Sequence, residues 1–159
     1  LTELYQVAVV DPPWPVRKGG RRAVRPAQGR ALDYATLDVP AIFALLDGVL
    51  LPQLSSPACM FLWVVDRVLP QAEVAMQERG WRLHARMVWD KGNGVAPAFT
   101  VRYCHEYLLW YYKPKLLPVA RAQRGKWGTV LHEQAREHSR KPVLAYTMID
   151  ALYPGTRKL

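Results

Sequence analysis

Asp11, Pro12, Pro13 and Trp14 close the run QVAVVDPPW, and each residue type limits what chemistry can happen beside it. An ionised carboxylate only accepts hydrogen bonds. Proline has no N–H and a fixed φ, so a Pro-Pro pair holds its carbonyls in set directions. Tryptophan adds a flat π surface. The natural complement is a planar ring with an exocyclic amine, which brings two N–H donors and a face to stack. Adenine and cytosine both fit. If Asp11 and the Pro12 carbonyl each accept one N–H, the amino nitrogen is drawn toward tetrahedral geometry. Its lone pair, otherwise delocalised into the ring, then becomes available to a neighbouring electrophile. Trp14 is expected to clamp the base by stacking, at about 1–3 kcal/mol. Taken alone, D-P-P-W is also what a strand end and proline turn look like, with Trp14 packed on the core. The chemical reading fails if Asp11 is tucked into a buried ion pair with no open cleft before the indole.

The charge pattern points to a polyanion. The chain of 159 residues carries a net charge of +9, unevenly spread. Residues 17–30, RKGGRRAVRPAQGR, hold 6 basic and no acidic side chains, among them Arg17, Lys18, Arg21 and Arg22. Residues 113–128, KPKLLPVARAQRGKWG, hold 5 more and none acidic. The remainder is close to neutral. Two basic loops on a near-neutral body favour nucleic acid as partner.

The elements that would position these groups alternate between strand and helix. A strand is expected at 6–10. Asp38 caps a helix of about 39–51 with Ile42, Leu45, Leu46 and Val49 at helical spacing. The continuous apolar run 57–65 suits a strand buried on both faces. A helix over 68–79 stops at Gly80. Two β-rich runs, 84–90 and 104–112, flank the turn-forming KGNGVAP. After the second basic loop TVLH forms a short strand. A helix then begins with Ser139 near the N-cap and Pro142 in the first turn, carrying Ala145, Met148, Ile149 and Leu152 on one face. The tail TRKL begins another strand. This pattern predicts an α/β fold with a mostly parallel sheet and an antiparallel hairpin at one edge. Ligands bind such sheets beyond the carboxyl ends of the strands, where DPPW falls.

The chain reads as one domain, 1–159, with 50% hydrophobic content and no run long enough to span a bilayer. Leu1 in place of a methionine suggests a piece of a longer polypeptide. Cys59 and Cys104, both in apolar strand-like surroundings, read as reduced core thiols of a cytoplasmic protein. The histidines lack ligand spacing, so no metal is expected.

In order along the chain, VVDPPW (9–14), YATLDVPAI (34–42), FLWVVD (61–66), VWDKGNG (88–94), CHEYLL (104–109) and REHSRKPVLAYTMIDALYPGTRKL (136–159) resemble a known family. It is the adenine-N6 methyltransferases named after the seventy-kilodalton subunit of the eukaryotic mRNA adenosine methyltransferase, which also include bacterial and phage DNA adenine methylases. The resemblance implies a Rossmann-like sheet with permuted motif order, S-adenosyl-L-methionine as cofactor, and methyl transfer to N6 of adenine in nucleic acid. It assigns catalysis to Asp11, Pro12, Pro13 and Trp14. It pairs Lys141 with the cofactor's carboxylate, assisted by Ser139 and Arg140, and Asp11 also borders the cofactor. The start of the last helix suits such an anion. Tyr34 matches an aromatic of the loop that closes over the site. The family's acidic residue for the cofactor ribose follows RKL, and this sequence stops at Leu159.

Trp89 and Lys91 are further candidates for substrate contact, against a strand end with a solvated lysine. His105-Glu106 could line the base pocket, against a strand with one polar residue facing solvent; His105 is the candidate taken forward. DNA is favoured over RNA. Alternatives are a non-catalytic nucleic-acid-binding subunit of a homo- or heterodimer, and cytosine-N4 methylation.

Overall fold

The computed structural model of the chain describes residues 4–15, 35–92, 101, 103–136 and 140–159. Strand β1 (Tyr5–Val10) is followed by helix α1 (Val39–Leu45), whose N-cap Asp38 accepts from the Ala41 N–H at 2.8 Å. The helix widens into a π turn, Leu46–Leu50, before β2 (Leu54–Val64). That widening shifts the buried face. Ile42, Phe43 and Leu46 go inside, while Leu45 and Val49, expected in the apolar stripe, stay exposed. Helix α2 (Leu69–Glu78) ends at Gly80, whose φ of +76° only glycine adopts without strain. Then come β3 (Arg82–Asp90), β4 (His105–Lys113), the three-residue β5 (Val130–His132) and helix α3 (Val143–Leu152).

The strands form one sheet in the order β1-β2-β4-β3-β5. β1 pairs parallel with β2, and β3 with β5, whereas β4 runs antiparallel to both β2 and β3. The sheet is therefore mixed rather than mostly parallel. The hairpin β3–β4 occupies one side of it, but β5 stands outside, and β4 reaches its centre. The reason lies in the side chains. In β4 the four consecutive residues from Leu108 to Tyr111 are buried, which requires cover on both faces, while β3 alternates. Beyond β1, Lys158 bridges to Val7 and the Leu159 N–H donates to the Val7 carbonyl, the start of the strand expected from TRKL.

Helices α1 and α2 cover one face, packing Ile42, Phe43, Ala72 and Met76 on Ala8, Met60, Leu62 and Leu109. Helix α3 covers the other, with Ala145, Met148, Ile149 and Leu152 on Val7, Phe61, Trp63 and Leu108. Cys59 is buried there, but Cys104, expected in the core, is exposed just before β4 begins.

Helix α3 starts later than its sequence suggests, with Pro142 as N-cap residue and no side-chain cap of its own. A distant residue supplies one. The two Glu133 carboxylate oxygens accept from the Val143 and Leu144 N–H groups at 3.1 and 2.8 Å. Ser139, the expected cap, lies outside the described residues. The Leu144 N–H, opposed by some burial and aided by the Val143 N–H and Arg136, holds the Glu133 carboxyl below its usual range. Glu133→Ala is expected to cost about 1–2 kcal/mol. A depressed carboxyl stabilises above its unfolded pKa and loses that contribution as pH falls through the folded one. Urea unfolding should therefore separate the variant from wild type at pH 7 and bring the two together near pH 3.

Candidate active site at the β1 end

Side chains alternate across a strand, so one face of the sheet's upper end can be read from the register. Val7, Val9 and Asp11 share the α3 face, as do Phe61 and Trp63 of β2, Glu106 and Leu108 of β4, and Met87 and Trp89 of β3. Lys141, just before α3, reaches down among them. Its Nζ lies 2.8 Å from Glu106 Oε2, 3.1 Å from Asp11 Oδ1 and 5.5 Å from the Trp63 ring centre. Lys91 holds the other Glu106 oxygen. Two ammoniums and two carboxylates thus form one chain, Lys91–Glu106–Lys141–Asp11.

The members are not equally enclosed. The Lys141 and Glu106 side chains keep 11% and 14% of their surface exposed, Asp11 keeps 42%. Burial works against the Glu106 charge, but Lys141 and then Lys91 outweigh it and hold the carboxyl below its usual range. At Asp11 burial wins. Lys141 pulls its pKa down, the Glu106 charge pushes it back up, and the carboxyl ends above its ordinary value. Lys141 itself is held protonated, because Glu106 and Asp11 together outweigh its own burial. The lysine belongs first to Glu106, leaving Asp11 a partly open, comparatively basic carboxylate.

Several expected residues take other places. Trp14 is the clearest correction. It lies on the opposite face from Asp11, packs against Phe43 with ring centres 6.2 Å apart, and donates its indole N–H to the Trp63 carbonyl at 2.7 Å. With 4% of its surface exposed, it has no open face for a base. The cleft expected before the indole is absent, while Asp11 keeps an exposed edge despite its ion pair. Trp14 anchors the corner to β2 instead. Trp14→Ala is expected to cost about 3–5 kcal/mol by the lost packing. Loss of substrate affinity without loss of stability, measured by thermal unfolding beside nucleic-acid titration, would restore the stacking role.

Pro12 is buried, and its carbonyl accepts from the Trp14 N–H at 2.8 Å, a tight turn that aims it and leaves its second lone pair. The Pro13 carbonyl takes the Leu37 N–H at 3.0 Å. Trp89 is buried with its N–H on the Glu133 carbonyl, so it forms the floor of the site rather than a contact surface. Lys91 is neither solvated nor free for substrate; it pairs with Glu106. His105 points away, stacking edge-on against Tyr107, whose face is that of α1 and α2. The neighbouring Glu106 is the residue that reaches the site. Alternation along β4 carries that signal, once Leu108 and Trp110 are assigned to the α3 face. Arg140 lines a shallow groove with Trp89, Arg136, Lys141 and Pro142. The α3 N-terminus is not open to an anion, since Glu133 occupies its first two N–H groups. Tyr34, Ser139 and the basic segment Arg17, Lys18, Arg21, Arg22 lie outside the described residues. The second basic loop begins at the end of the sheet away from Asp11, because β4 runs antiparallel to β1's neighbour. Lys113 there donates to the Arg79 carbonyl, and the Ala120 N–H to the Leu152 carbonyl at the end of α3.

A family model described as MT-A70 matches residues 5–159. The chain belongs to the MT-A70 family. A putative N(6)-adenosine-methyltransferase MT-A70-like of Medicago truncatula is 23% identical over 158 residues, covering 98% of this chain and 23% of that protein. An N(6)-adenosine-methyltransferase MT-A70-like protein of Drosophila melanogaster is 25% identical, covering 98% and 24%. The chain thus spans about a quarter of the length of these MT-A70 relatives. The crystal structure of an M1.HpyAVI–SAM complex matches with a TM-score of 0.59 at 15% identity, over 94% of this chain and 66% of that one. At that identity the likeness bears on fold, and it supports the α/β methyltransferase-like architecture.

Proposed function

We propose that this MT-A70 domain transfers a methyl group from S-adenosylmethionine to the N6 amino group of adenine in nucleic acid, with DNA ahead of RNA. The observation that carries the reading is Asp11 itself: a partly open, comparatively basic carboxylate beside a carbonyl whose direction is set by a proline turn. The cofactor, when bound, supplies an electrophilic methyl group. Everything else falls to the chain. Asp11 and the Pro12 carbonyl accept the two amino N–H bonds, and the nitrogen lone pair turns toward the methyl carbon. As the N–C bond forms and the S–C bond breaks, the amine carries an extra proton, and the raised pKa of Asp11 suits it to accept that proton.

The residues present fit the cofactor's amino-acid end. A lysine ammonium has three protons, of which Lys141 places two on Glu106 and Asp11, so a third can meet a carboxylate. Burial among carboxylates keeps it charged for that role. The target base must leave its stack or belong to a single strand. The basic segments would hold phosphates, which makes binding fall steeply with salt.

Labelled methyl transfer to adenine-containing DNA and RNA oligonucleotides, followed by nucleoside analysis, tests the reading. N6-methyladenine in DNA supports it in full. Product only in RNA overturns the choice of nucleic acid, methylated cytosine overturns the base, and equal incorporation by Asp11→Ala overturns the catalytic assignment.

A further inference from the structure

The corner leaves one polar group unexplained. Trp63 is 1% exposed, and its indole N–H has no partner at full hydrogen-bonding geometry. It lies on β2 beside the end of β1, on the face that Asp11 shares. The polar group that interacts with it is the hydroxyl of Tyr146, on the first turn of α3 five residues after Lys141, which also feels the charges of Asp11 and Lys141. Tyr146 keeps 43% of its surface exposed, so it borders both the core and the open side of the site.

We propose that Tyr146 is a positioning residue for Asp11, its hydroxyl accepting from the Trp63 N–H and donating to the Asp11 carboxylate. The three groups fit together in one order only. An indole N–H can only donate, an ionised carboxylate can only accept, and a phenol can do both at once. The chain therefore runs Trp63 to Tyr146 to Asp11, and it turns an otherwise costly buried donor into an orienting device. Burial and the Asp11 charge hold the phenol pKa above its ordinary value, so the hydroxyl keeps its proton at any working pH. Lys141 cannot serve this purpose alone, because Glu106 is its nearer partner. A second donor would keep the carboxylate ionised and aimed while Lys141 serves other acceptors.

The catalytic consequence rests on the methyl-transfer reading, but the test does not require turnover. Lys141, Glu106 and Tyr146 are the groups facing Asp11, with Lys91 acting through Glu106. Tyr146→Phe keeps the ring and its packing and removes only the hydroxyl. In protein carrying carboxyl-labelled aspartate, carbon NMR should show the Asp11 titration displaced upward by about one pH unit, since a donor to the charged form is lost. Trp63→Phe should move it the same way by less. If methyl transfer is present, the acid limb of kcat should shift with it and kcat fall about tenfold at neutral pH, with KM little changed. An Asp11 titration identical in wild type and Tyr146→Phe overturns the proposal. A displaced titration in a protein that transfers no methyl group overturns the proposed function and leaves the relay standing.

Discussion

Asp11→Ala is expected to lower methyl transfer by about 10³-fold or more while leaving the folded protein no less stable. The loss in rate follows from removing an acceptor that acts on the reacting amino group, where a single preorganised hydrogen-bonding group is worth about 10²–10³-fold. Loss of the proton acceptor adds to it. The stability side follows from the direction of the Asp11 shift. A carboxyl whose folded pKa lies above its unfolded one favours folding at low pH and turns against it as pH rises through the folded value. At neutral pH the ionised Asp11 therefore opposes folding, and Lys141 only partly offsets this. Asp11→Asn, which keeps the shape, should unfold at the same temperature as wild type or higher at pH 7.5, and lose that advantage near pH 4. Thermal unfolding at both pH values, beside labelled methyl transfer at pH 7.5, separates the two effects. A clear loss of stability at pH 7.5 would mean that Asp11 is held for the fold rather than for a ligand.

That opposition between stability and function was only half visible in the sequence. The strand end, the proline turn and the acid at β1 could be read from local rules, and so could α1 with its Asp38 cap and α2 with its stop at Gly80. What local rules missed was which face each residue takes at the turn. Asp11 continues the alternation of Val7 and Val9, whereas the two prolines send Trp14 through to the α1 and α2 face, where its N–H finds the Trp63 carbonyl. An acid and an aromatic three residues apart look like neighbours in a list and stand on opposite sides of a sheet. The same parity separates His105 from Glu106. The hairpin's place follows from β4's unbroken apolar run, a pattern present in the sequence but weighed as edge-like. The cap of α3 could not be found locally, since Glu133 stands ten residues before Val143 and acts across a chain reversal. Nor could the four-charge chain, whose members come from β1, the end of β3, β4 and the approach to α3.

Lys141→Met is expected to cause the largest loss of stability of any single change at the site, about 3 kcal/mol at neutral pH, together with loss of cofactor binding. The methionine fills the lysine's apolar stem but leaves Glu106, 14% exposed, with Lys91 as its one ammonium, and Asp11 without one. Burial is the largest influence on both carboxyls, and it raises both pKa values. With Lys141 gone, Asp11 rises further and Glu106 loses the stronger of the two partners that held it down. The pH dependence then reverses for Glu106. In wild type its depressed pKa means a stabilisation present at neutral pH and lost as pH falls through the folded value. In the variant a raised pKa means that acid relieves the fold, because the protonated carboxyl no longer needs an ammonium. The difference in unfolding free energy between wild type and Lys141→Met should accordingly be greatest near pH 7.5 and shrink on acidification toward pH 4. Lys141→Arg keeps the charge and should keep most of the stability, yet a planar fork cannot place three protons around one nitrogen as an ammonium does. Calorimetric titration with S-adenosylhomocysteine should show its affinity weakened in Lys141→Arg and abolished in Lys141→Met. Undiminished binding in a folded Lys141→Met protein would assign the lysine to the carboxylates alone and move the cofactor's anchor elsewhere.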